Sequence, residues 1–199
     1  MPRTTQLLLK TVVWLLCLLP LGRLLYLATT NTLGPDPTAE LSFATGLAAL
    51  RLLTASLAIT PLRRLSPRLY GLIQFRRLLG LFAFFYATLH LAIYIALYAG
   101  FDPATILSDV SRRRFITVGV AAWLLLLPLA ATSTRWAIRK LGGKRWNQLH
   151  KLVYLAAICG VIHYWWQVKT GVRTPLTITL ILAVLLAARP VQNWLRGHK

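Results

Sequence analysis

Six stretches of this chain, Leu7–Thr29, Leu41–Thr60, Leu78–Ala99, Phe115–Thr132, Asn147–Val168 and Pro175–Arg189, contain no Asp or Glu and are overwhelmingly apolar. A helix needs about 20 such residues to cross the hydrocarbon core of a bilayer. Within that core the backbone has to satisfy its own hydrogen bonds, which helices do segment by segment. The pattern therefore predicts an all-α integral membrane protein, a bundle of six transmembrane helices. Composition agrees, since 57% hydrophobic residues and a mean hydropathy of +0.61 exclude an ordinary soluble domain of 199 residues. The connections are brief and carry Pro and Gly, as in Gly34-Pro35-Asp36-Pro37 and Gly100–Pro103, so residues 1–199 read as one domain. No internal repeat is evident. The first stretch resembles a signal peptide, but Pro20, Gly22 and Arg23 lead into further apolar chain with no small-x-small cleavage site, so it reads as a retained span.

Charge sets the orientation. The 23 Lys and Arg against 4 Asp and Glu give a net charge of +19. In a soluble chain that excess would suggest nucleic acid; here the cations cluster between apolar stretches, which excludes that class and points to the positive-inside rule. With the amino terminus inside, the inner set runs from Arg3 and Lys10 through Arg63, Arg64, Arg68, Arg76 and Arg77 to the Arg135–Arg145 loop and the tail from Arg189 to Lys199. The outer set is Arg112, Arg113, Arg114, Lys169 and Arg173, and all four acids, Asp36, Glu40, Asp102 and Asp109, lie on that side. Both termini are expected in the cytoplasm. The Arg112–Arg114 run is either a loop end balanced by Asp102 and Asp109 or a docking patch for an outer partner. Trp136, Trp146 and Trp194 inside, and Trp165 and Trp166 outside, fit interfacial belts. Cys17 and Cys159 lack the spacing of a metal or dithiol motif and read as small apolar residues.

Histidine carries the chemistry. At 1.5 Å per residue, His90 lies roughly 18 Å above Leu78, His163 roughly 24 Å above Asn147, and His150 only about 5 Å above it. His90 and His163 are thus closest in height on two helices that run the same way. Each alone could be a side chain hydrogen-bonded to a neighbouring helix. A level pair in hydrocarbon, where polar groups are costly, points to two axial ligands of one haem iron. Gly160, one turn before His163, either leaves room for a macrocycle or permits close helix packing. His198, in the polar tail, reads as idle.

These residues resemble the ferric reductase-like transmembrane domain shared by NADPH oxidases, ferric reductases and metalloreductases, in which the third and fifth of six spans carry haem-ligating histidines. In the oxidase branch each of those spans holds a histidine pair spaced 13 or 14 apart, for two haems. Span five here keeps such a pair, His150 and His163; span three keeps only His90, with Arg77 and Arg76 at the corresponding earlier positions. The inner site lacks one expected ligand, and arginines there suit the phosphate of a flavin. The segment from Arg139 to Tyr154 is similar to that preceding span five in haem-binding membrane subunits of bacterial periplasmic methionine sulfoxide reductase systems. That likeness implies a bacterial inner-membrane protein carrying electrons from a cytosolic flavin reductase or the quinone pool, through FMN and one or two haem b groups, to a periplasmic molybdenum-containing reductase. His90 and His163 would be the axial ligands, and His150 a second-haem or inner-cofactor ligand. Arg51, Arg76, Arg77 and Arg145 would face a propionate or flavin phosphate, although Arg51 could also snorkel or bond a neighbouring helix and the inner arginines also suit any cytoplasmic loop.

Other functions are less well supported. A cation or proton transporter would place Asp or Glu inside its spans, and there is none. No nucleophile–base pair, acid couple or glycine-rich phosphate cradle is present, so any chemistry belongs to cofactors. A two-haem conduit to another acceptor and a haem-free structural subunit stay open.

Overall fold

A computed structural model describes the backbone of residues 3–168 and 171–197 and the side chains of residues 4–168 and 171–188. His198 and Lys199 lie outside the described residues, as does Lys169, and so do the side chains of Arg189, Trp194 and Arg196. Among the described residues every regular element is helical. The order is α1 (Arg3–Thr29), α2 (Pro37–Leu65), a 3-10 turn (Pro67–Leu72), α3 (Ile73–Ile93) ending in a π turn (Tyr94–Tyr98), α4 (Pro103–Arg112), α5 (Arg114–Ala131), α6 (Arg135–Leu141), α7 (Gly143–Leu149), α8 (Leu152–Gln167) and α9 (Arg173–Gly197).

All six apolar stretches are helical, with different lengths from those expected. Four segments, Thr4–Thr29, Pro37–Leu65, Pro67–Tyr98 and Arg114–Ala131, are long and apolar enough to cross a membrane. Two are shorter: α8 has 16 residues, and the apolar part of α9 is Arg173–Ala188. The stretch expected over Asn147–Val168 is broken at His150 and Lys151, where α7 ends and α8 begins. Its first residues are polar and belong to α7, whose carbonyls at Trp146 and Gln148 take the His150 amide.

Helix starts follow local chemistry. Asp36 caps α2 by accepting from the Ala39 amide at 2.9 Å, with Pro37 in the first turn. Asp102 caps α4 through the amides of Ala104 and Thr105, again followed by Pro. Asp109 pairs with Arg113 at 3.0 Å and accepts from the Tyr94 hydroxyl at 2.9 Å. Three of the four acids are therefore occupied in capping helices or pairing with neighbouring side chains.

The core lies where α2, α3, α5, α8 and α9 meet: Leu50, Leu53 and Leu57 pack with Ala83, Leu126, Leu129, Ala156, Ala157, Val161, Ile178 and Leu182. Ala83, Ala156 and Ala157 are almost fully buried, and such small side chains let helix backbones approach closely. A second cluster of Cys17, Ala48, Phe82 and Tyr86 ties α1 to the bundle. Pro20 interrupts the α1 hydrogen-bond ladder, and the fully buried Tyr86 hydroxyl enters that region, donating to the Cys17 carbonyl at 2.8 Å and accepting from the Leu21 amide at 3.1 Å. This is how an opened helix satisfies its backbone away from water.

Candidate functional site: two anchored histidines

The rings of His90 on α3 and His163 on α8 lie with centroids 5.9 Å apart and planes at 80°. Each is fixed from behind. His90 Nδ1 lies 2.8 Å from the Ser42 carbonyl on α2, with the Ser42 hydroxyl at 3.5 Å. His163 Nδ1 lies 2.7 Å from the Phe115 carbonyl on α5. A carbonyl only accepts, so each Nδ1 carries the proton and donates, which leaves Nε2 as the nitrogen with a free lone pair.

Two glycines make the arrangement possible. A Cβ on Gly46 would stand 3.1 Å from His90 Nδ1, and one on Gly119 would stand 2.7 Å from His163 Nδ1. The imidazoles occupy space that any other residue would fill. The two halves match in register: each histidine reaches a carbonyl 48 residues earlier, and each glycine follows its carbonyl residue by one helical turn. The sequence around the glycines repeats as well, Gly46-Leu-Ala-Ala49 and Gly119-Val-Ala-Ala122. The two histidines are thus held by the same local arrangement, which hydropathy does not reveal. Gly160 has a different role, since a Cβ there would meet Leu50 Cδ1 at 3.4 Å; its small size serves packing of α2 on α8.

Among the described residues no group of three or more His, Cys, Asp and Glu comes together. A bare metal ion that draws most of its ligands from protein finds no site there. Haem iron asks for two axial donors only, because the macrocycle supplies the other four nitrogens. With metal–imidazole bonds of ~2 Å, two axial rings have centroids about 6 Å apart, and the observed 5.9 Å meets that requirement. The pair fits a haem.

The remaining expected residues divide among three places. His150, at the end of α7, stacks on Trp146 with centroids 3.7 Å apart, and its Nδ1 lies 3.1 Å from the Trp146 carbonyl. Its Nε2 is buried without a well-aligned hydrogen bond, with the Leu129 backbone near the ring and Arg76 within electrostatic reach. Thr60 Oγ1 and Arg63 Nε, at the C-terminal end of α2, are buried and unpartnered among the described residues too. Arg77 points elsewhere, into a groove of about 600 Å³ between α1 and α3 with Lys10, Trp14 and Gln74. Arg51 lines a groove between α2 and α9 together with Arg173. Arg145 is exposed on α7. The arginines expected to act together are thus spread over different faces, with Arg76 alone beside His150.

The glycine-backed histidine pair inside a bundle of apolar helices defines a class of membrane protein, and the sequence comparisons identify it. Residues 45–161 match the family described as ferric reductase like transmembrane component. The chain is 45% identical over 193 residues to the protein-methionine-sulfoxide reductase heme-binding subunit MsrQ of Ralstonia nicotianae, covering 96% of this chain and 88% of that one. It is 46% identical over 186 residues to the protein of the same name from Xanthomonas axonopodis pv. citri, covering 90% and 84%, and 42% identical over 189 residues to that from Bordetella pertussis, covering 94% and 91%. The chain belongs to the ferric reductase-like transmembrane family and, within it, to the MsrQ group.

Proposed function

We propose that this chain is the haem-binding, electron-transferring membrane subunit of a methionine sulfoxide reductase system in a bacterial inner membrane. The observation that carries this reading is the His90–His163 pair, 5.9 Å between ring centroids with both Nδ1 atoms committed to backbone carbonyls. Haem b bound there supplies one-electron chemistry. The protein's part is to present two neutral imidazoles through Nε2, to hold their orientation with Ser42 and Phe115, and to exclude water with the surrounding apolar helices.

The proposed topology has six crossings, with α8 and the apolar part of α9 as the short fifth and sixth and both termini cytoplasmic. His150 and Arg76 then lie on the inner side, where we place a second cofactor, FMN with its phosphate near Arg76. The donor is a cytosolic flavin reductase or membrane quinone, and the acceptor a periplasmic molybdenum-containing reductase. Arg112 and Arg114, exposed beside the Asp109–Arg113 pair, form the outer face on which that acceptor docks. A second reading, in which the inner cofactor is another haem, is favoured by the buried Nε2 of His150, which lacks a well-aligned hydrogen bond.

Purified membrane protein from haem-replete cells should show the reduced-minus-oxidised spectrum of a bis-imidazole haem b, and extraction should give haem and flavin per chain. A colourless protein overturns the proposal. One haem with one FMN supports the first arrangement; two haems without flavin support the second.

A further inference from the structure

Arg51 is the one cation near the middle of α2, and its residue is exposed on the side of the bundle, within electrostatic reach of Tyr164. A guanidinium exposed on the side of a spanning helix is costly unless it meets an anion or reaches water. Among the described residues it has no ion pair, the sole salt bridge being Arg113–Asp109. It lines a groove of about 490 Å³ that runs between α2 and α9. At one end of that groove stand Arg51, Arg173 and Thr174; away from it the walls become Ala55, Ala58, Ile178 and Ile181.

Two positive charges, neighbouring hydroxyls and no carboxylate make an anion site, and the apolar walls that continue from it make the site amphipathic. Arg173 and Thr174 also begin α9, whose first-turn amides favour negative charge. Arg51, Ala55, Thr177 and Ile181 are all exposed, so the groove faces the bilayer and a ligand can enter from the membrane. We propose that this groove holds one anionic phospholipid, its phosphate between Arg51 and Arg173 and its acyl chains along Ala55, Ala58, Ile178 and Ile181. Arginine suits the phosphate because its planar fork meets two phosphate oxygens at once. The proposal gives the anion expected for Arg51 an identity other than a haem propionate or flavin phosphate, and it stands independently of whether the histidine pair binds haem.

The test uses full-length protein in detergent and in nanodiscs. Native mass spectrometry and lipid extraction should find one phosphatidylglycerol per wild-type chain, and the Arg51→Gln/Arg173→Gln double variant should lose it while keeping its haem-to-protein ratio. Spin-labelled phosphatidylglycerol should show a motionally restricted fraction in wild-type nanodiscs that labelled phosphatidylcholine lacks. Arg51→Lys, which keeps the charge, should retain part of it. Equal lipid retention by the double variant, or equal immobilisation of both labelled lipids, overturns the proposal. Loss of haem with lipid retained does so as well and assigns Arg51 to a propionate. Stabilisation of delipidated protein by millimolar inorganic phosphate as strong as that by phosphatidylglycerol vesicles also overturns it, because the acyl chains would then contribute nothing.

Discussion

His163 rests against the bare Cα of Gly119, so close that a methyl group at that position would stand 2.7 Å from Nδ1. No heavy atoms tolerate that separation unless they share a hydrogen bond, and carbon offers none. Gly119→Ala should therefore displace the ring from the Phe115 carbonyl and cost the variant most of its haem. At Gly46 the corresponding distance to His90 is 3.1 Å, which a few tenths of an ångström of movement relieves, so Gly46→Ala should lose less. The haem-to-protein absorbance ratio of the two purified variants checks the order; equal retention in both would refute the steric argument.

The ligands themselves should separate by spectrum. His90→Ala and His163→Ala should each abolish the low-spin bis-imidazole signature. His150→Ala should leave it intact if the inner cofactor is flavin, and should remove about half the haem if His150 holds a second one. Difference spectra with pyridine haemochrome quantification distinguish these outcomes.

Tyr86 connects α3 to α1 at the Pro20 interruption. Tyr86→Phe keeps the ring and removes the hydroxyl, leaving the Cys17 carbonyl and the Leu21 amide without their partner. An orphaned buried group costs about 1–3 kcal/mol, so thermal unfolding in detergent should occur several degrees lower. Haem content at low temperature should be unchanged, since the hydroxyl that is removed serves the α1 backbone and not the bonds that hold the imidazoles.

The cap of α4 should respond to acid. The Thr105 hydroxyl, with the Thr105 and Ala104 amides, holds the Asp102 carboxyl below the ordinary carboxylate range. A depressed value means that the cap's contribution is complete above the unfolded-state value of about 4 and is lost as pH falls through the lower folded-state one. Protection of the first-turn amides of α4, taken as the observed exchange rate against the intrinsic rate at the same pH, should fall on acidification. Asp102→Ala should show weak protection at every pH, and wild-type protection free of this acid-dependent step would rule out the cap.

The positions of the helices and the nearness of His90 to His163 were legible because both depend on quantities written along one strand of sequence, apolar length and depth per residue. The anchors were not. Ser42 and Phe115 contribute backbone carbonyls, which every residue has, so no residue type betrays them. Gly46 and Gly119 carried a faint signal, the shared Gly-x-Ala-Ala pattern, lost among many other small apolar residues. Arg76 and Arg77 were expected to act together, but adjacent helical residues point about 100° apart, and in the structure Arg76 lies near His150 while Arg77 lines the α1 groove. The break at His150 and Lys151 escaped hydropathy because Leu149 and Leu152 keep the average high on both sides of it.

The equal register of the two histidine arms has a mechanical meaning. One hairpin, α2 with α3, owns the first imidazole and its backing glycine; the other, α5 with α8, owns the second pair. Neither helix pair supplies both imidazoles, so a haem held as proposed would fasten two similarly built halves of the bundle to one another, as a rivet does.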